Sequence, residues 1–140
     1  MIRSGKLSDY IYHPGKKYEI IDYHKDGTIH SKEWRQIDED GKDVYLCDPV
    51  IPTYTKYTSK GELYYVHYYD KDGKPFREGD KPSCIYYHKN GQVHEEFYHL
   101  HNYYPEREDP SKPATIEYNE FGKIVKEEYW KDGKIVEKEK

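Results

Sequence analysis

The chain has 140 residues, enough for one domain with its own core, but Ile, Leu, Val and Phe together supply only 24 of them. Against that thin apolar stock stand 18 tyrosines and a net charge of only −4. These exclude a self-repelling disordered chain and make tyrosine a main packing residue, its ring buried and its hydroxyl wet. Acids and bases nearly cancel, 27 against 23, so no strong field draws nucleic acid or an anionic membrane by charge alone.

In chain order, residues 1–16 read as half a repeat unit, with Gly5, Leu7, Tyr12 and Gly15 at or within one residue of offsets that recur later. Four full units follow, at about 17–50, 51–80, 81–111 and 112–140, aligned on Gly27, Gly61, Gly91 and Gly122. Four residues before each of these glycines stands a tyrosine: Tyr23, Tyr57, Tyr87 or Tyr118. Two residues after it stands an aliphatic residue (Ile29, Leu63, Val93, Ile124), and seven after it an aromatic one (Trp34, Tyr68, Tyr98, Tyr129). A second turn follows at Gly41, Gly73 and Gly133, and the third unit substitutes the region around Asn102.

Each unit predicts strand, turn, strand, turn and connector, because apolar and polar residues alternate on either side of Lys-Asp-Gly or Lys-Asn-Gly turns. The expected fold is all-β: one repeat domain over 1–140, an elongated antiparallel meander of about four and a half tandem hairpins. It should be at least about 40% strand, since the turns leave few windows of helical length. A three-residue loop with glycine left-handed pairs Tyr23 with Ile29 and Tyr118 with Ile124, collecting apolar residues on one face. That parity puts the aromatic seven after the glycine on the other face unless a bulge intervenes. A bulge or a sheet with aromatics on both sides would each satisfy the pattern.

The tyrosine, the polar turn ending in glycine, the aliphatic residue, and the aromatic followed by a second glycine turn resemble MORN-like repeats. The similarity is to the variant found in bacterial, phage and giant-virus proteins, some of them assigned as antitoxins. The segments Asp72 to Gly91 and Glu106 to Gly122 carry that family's Arg, Asp and Pro connector. The resemblance implies an elongated hairpin meander with protein binding or scaffolding as its role. Two departures stand out: the first unit has Tyr45, Leu46 and Cys47 near the place of the connector arginine, and the third loses its second glycine.

Among candidate sites, the tyrosine and aromatic ladder (Tyr23, Trp34, Tyr57, Tyr68, Tyr87, Tyr98, Tyr118, Tyr129) offers a protein-binding face or a stacking platform for sugars or bases. It also serves simply to hold a thin sheet together. Arg77 with Asp80 and Arg107 with Asp109 read as structural connectors rather than an acid and base pair. Asp22, His24 and His30 fall on one face, and His88 and His94 repeat the pattern, with His99 and His101 as further imidazoles. Lys32 on that face and the lack of repetition in units two and four argue against a metal.

No nucleophile elbow, phosphate loop, zinc motif or dinucleotide fingerprint is present, so neither an enzyme nor a cofactor is expected. Cys47 and Cys84 are expected as reduced thiols in a cytoplasmic setting, in a microbe or an infected cell. Neither a secretory leader nor an apolar run of membrane-spanning length is visible.

The resulting expectation is a non-enzymatic module that binds a protein, as an antitoxin, inhibitor or scaffold does. A small-ligand module for sugar or nucleotide comes second and a structural component of a virus or phage particle third. Leu7, Tyr10, Ile11 and Tyr12 form an apolar N-terminal edge suited to self-association or strand addition. The C-terminal strand from Lys134, almost wholly charged beyond Val136, reads as a blocked edge.

Overall fold

A computed structural model describes residues 15–137; the N-terminal half unit with Leu7, Tyr10, Ile11 and Tyr12 lies outside the described residues. Strand and bridge residues make up 46%, in one antiparallel sheet with no helix among the described residues. Among the described residues no helix is long and apolar enough to cross a membrane.

The strands are β1 (Lys17–Tyr23), β2 (Ile29–Ile37), β3 (Asp43–Tyr45), β4 (Tyr54–Tyr57), β5 (Leu63–His67), β6 (Cys84–Tyr87), β7 (Val93–Phe97), β8 (Thr115–Tyr118), β9 (Ile124–Lys131) and β10 (Lys134–Val136). They neighbour one another in chain order, except that β3 and β4 share one edge of β2. Trp34 marks the junction, its N–H donating to Thr53 O while its carbonyl accepts from Leu46 N.

The four glycine hairpins close alike. His24 N–H donates to Thr28 O (2.7 Å) and Gly27 N–H to His24 O (3.0 Å), with matching pairs at Thr58, His88 and Asn119. Each loop therefore has three residues and ends on a glycine with φ between 82° and 90°, a conformation that a Cβ disfavours. The expected register follows: Tyr23 opposes Ile29, Tyr57 Leu63, Tyr87 Val93 and Tyr118 Ile124.

One step further along each ladder the register slips, since Asp22 opposes Ser31, Lys56 opposes Tyr65, Tyr86 opposes Glu95 and Glu117 opposes Lys126. His30, Tyr64, His94 and Val125 are thus extra residues, one bulge per hairpin. The bulge restores parity and returns Trp34, Tyr68, Tyr98 and Tyr129 to the face of the ladder tyrosines. Both alternatives left open by the sequence hold, because other rings fill the opposite face.

Units join through a small, fully buried residue. Thr53, Ser83 and Ala114 are fully buried, and their carbonyls accept from the N–H groups of Trp34, Tyr68 and Tyr98 at 2.7 to 2.8 Å. The connector arginines lock the same joints. Arg77 lies 4.0 Å over Tyr68 and donates to Pro49 O and Pro82 O; Arg107 lies 3.8 Å over Tyr98 and donates to Asp80 and Pro113 O. Asp109 instead caps its own turn, accepting from Ser111 N and Oγ.

Where the third unit lacks its second glycine, His101 takes the left-handed conformation (φ 62°). It pays for that strain by stacking on Phe76 at 3.8 Å and bonding Asp70 at 2.7 Å.

Candidate binding faces

Directly opposed residues share a face, so the ladder registers sort every side chain. On the ladder face, Tyr68, Tyr98 and Tyr129 are less than a tenth exposed. Trp34, Tyr23, Tyr57, Tyr87 and Tyr118 are half-buried. The structure thus gathers all eight ladder residues on one side, but two of the buried rings lie beneath arginines and act in packing. Tyr118 donates to Glu96 at 2.6 Å, and burial together with that carboxylate pushes its hydroxyl well above the usual tyrosine range.

The opposite face carries a second, contiguous aromatic cluster that the repeat alignment does not single out. Tyr65 stacks on His67 at 4.2 Å and approaches Tyr86 at 5.2 Å, Tyr54 at 6.0 Å and Tyr64 at 5.3 Å; Tyr86 meets Phe97 edge-on at 5.8 Å. Tyr64, the bulge residue of the second unit, is 44% exposed and opens the cluster to solvent. Lys56 sits 5.9 Å from the Tyr65 ring centre, adding a cation at the rim. The signal was present in the alternation of Tyr65, His67 and Tyr69, which places an aromatic ring at every second residue of β5 and just beyond it.

His67 holds this cluster together, its Nδ1 2.6 Å from Tyr69 Oη and its Nε2 3.2 Å from Tyr86 Oη. Burial drives its pKa down to about 4, so the ring is neutral at physiological pH. A neutral imidazole donates through one nitrogen and accepts through the other, so one tyrosine hydroxyl must accept from it and the other donate.

Next to it, Ser83 Oγ lies 2.6 Å from His99 Nδ1 and 3.2 Å from Phe97 O. Whichever of the two receives its proton, Ser83 is a buried hydroxyl with a hydrogen-bond partner. Burial and the neighbouring His67 lower His99 to about 4 as well. Burial also pushes the Cys84 thiol up to about 12, keeping it protonated.

The histidine pairs form as their spacing suggests, His24 against His30 at 4.7 Å and His88 against His94 at 4.2 Å between ring centres. Asp22 lies 3.5 Å from His30 Nδ1, whereas His88 Nε2 is committed to Tyr118 O at 2.9 Å. His99 and His101 join neither pair, being held by Ser83 and Asp70. Among the described residues no three His, Cys, Asp or Glu side chains converge as a metal site would require.

The charged residues beyond Glu137, which the sequence reads as part of a blocked edge, lie outside the described residues. β10 covers only Tyr129 to Lys131 of β9, and Ile135 and Val136 are 58% and 38% exposed. Phe121, Ile124 and Val125 are also more than half exposed. The edge of the sheet here is the stretch of β9 from Lys126 to Glu128. No family model, characterised protein or solved structure matches the chain.

Proposed function

We propose that this chain is a non-enzymatic, MORN-like repeat module that binds a protein partner, in the manner of an antitoxin, inhibitor or scaffold. The observation that carries the reading is the aromatic cluster around Tyr54, Tyr64, Tyr65 and Tyr86, in which the exposed Tyr64 and its half-buried neighbours stand beside Lys56. Tyrosine on a rigid sheet supplies large contact area at small entropic cost, which is why it is enriched in protein interfaces. The described clefts of about 360 and 380 Å³ lie instead at the last unit and beside the turn at Asp38 to Asp40. The exposed Tyr64 at the rim of the cluster suits a broad partner. The buried Cys84, kept protonated as a thiol, is in keeping with a binding role.

Capture from native lysate with the wild-type chain and with Tyr64→Glu tests the reading, alongside thermal shifts with a glycan and nucleotide panel. One discrete protein retained by the wild type and lost by the variant is the expected result. Stabilisation by a sugar or nucleotide without protein capture would favour the small-ligand alternative and overturn the proposal.

A further inference from the structure

The chain shows twice how a complete flank is closed. Segment 107–118 lays its arginine over Tyr98, bonds the preceding connector through Asp80, and then pairs β8 with β7 through Glu95↔Glu117, Glu96↔Ile116 and Phe97↔Thr115. Segment 77–87 seats in the same way: its arginine bonds Pro49 O, and β6 pairs with β5. Each is a continuous stretch reading Arg, a short acidic turn, Lys-Pro, a small residue and a strand.

The last unit offers the main-chain edge of that seat; after Val136, which pairs with Tyr129, Glu137 stands where the two connectors carry their arginines. Ala114 N–H donates to Glu128 O, so Glu128 turns its main chain toward β8 and Glu127, one residue before, turns its own to the opposite edge. Among the described residues no strand pairs there. The exposed Ile124 and Val125 lie at one end of that edge. At its other end is a cleft of about 360 Å³ walled by Asp109, Pro110, Tyr129, Lys131, Val136 and Glu137. Its two carboxylates against one ammonium suit a guanidinium.

We infer that the β9 flank is a strand-addition site for an extended segment of another chain, carrying an arginine followed by Lys-Pro, a small residue and a β-strand. Internal segment 107–118 is the template for that partner. On β9 its Glu117 would face Lys126 instead of Glu95, replacing a like-charged pair with an opposite one, and its Thr115 would face Glu128, a pairing already present between β8 and β9. The main chain supplies affinity, and the arginine cleft and small residue supply selectivity. The inference rests on the protein-binding reading and names a surface separate from the aromatic cluster.

The test is fluorescence anisotropy of a labelled peptide of residues 107–118 titrated with the full chain. Saturable binding is expected, weakened at least about tenfold when the peptide's arginine is alanine and absent for a scrambled peptide. Glu127→Pro removes the outward N–H without touching the β8 ladder and should abolish binding. Lys126→Glu, on an exposed side chain, reintroduces the like-charged pair and should weaken binding even if the proline variant does not fold. No saturable binding, or binding unchanged by both Lys126→Glu and the peptide's arginine substitution, overturns the inference. Failure here with Tyr64-dependent capture intact removes only the flank; loss of that capture removes the protein-binding reading itself.

Discussion

β7 and β9 carry the same signals, an aliphatic residue after the glycine, a bulge, alternating charge and an aromatic seven places on, yet they differ in burial. All of β7 is half-buried, whereas β9 is exposed from Ile124 to Glu127. The difference lies in the neighbour: β7 sits between β6 and β8, while among the described residues β9 has a partner on its outer edge only from Tyr129 onward. In a single-layer repeat sheet, burial is conferred by the next unit rather than by the strand's own composition.

The comparison is broken most severely by acid. His67 and His99 belong to the middle of the sheet, and their folded pKa of about 4 lies below the ordinary histidine value of 6.5. As pH falls from about 6.5 toward 4 the unfolded chain takes up protons that the folded one refuses, so stability declines through that window and levels off below it. At pH 5 the loss should be roughly 2 kcal/mol per ring. Urea melts at pH 7 and pH 5 check this, and His67→Phe should remove about half of the difference.

Next in size, Arg107→Ala should cost about 3 kcal/mol, because it strips the Tyr98 ring of its cover and leaves Asp80 without its fork. Arg107→Lys should recover only part of that, since an ammonium cannot reach Asp80 and Pro113 O together. Val66→Ala, at a site 7% exposed, should cost about 2 kcal/mol, while Val125→Ala, 55% exposed, should stay within about 0.5. Equal effects would mean that the flank is covered.

Small effects are also expected at two turn glycines. Gly61→Ala meets open space and should lose only about 1 kcal/mol to the left-handed backbone. Gly73→Ala should lose more, since its Cβ would stand 2.9 Å from the Tyr45 ring.

The hairpins, their three-residue loops and the Tyr118 to Ile124 pairing were legible because glycine and alternation are local signals. The connector arginines were legible as structure because each stands at a fixed place between a ring and a proline. The Tyr54 to Phe97 cluster was not, since its rings come from β4, β5, β6 and β7 at offsets that do not repeat from unit to unit. Nor was the role of His101, whose left-handed turn depends on Asp70 and Phe76 some 31 and 25 residues earlier. The apolar N-terminal edge that the sequence singles out lies outside the described residues, and the exposed stretch of β9 was not legible, because charge along the chain does not say how much of β9 a short β10 will cover.

The central claim, that each unit's flank is closed by the next and that no described strand covers the outer edge of β9 before Tyr129, is tested most directly by amide hydrogen exchange at two equivalent residues, Glu96 and Glu127. Glu96 N–H points to β8 and should be protected. Glu127 N–H faces the uncovered edge and should exchange at least about 100-fold faster under native conditions. Comparable protection at the two amides would contradict the account.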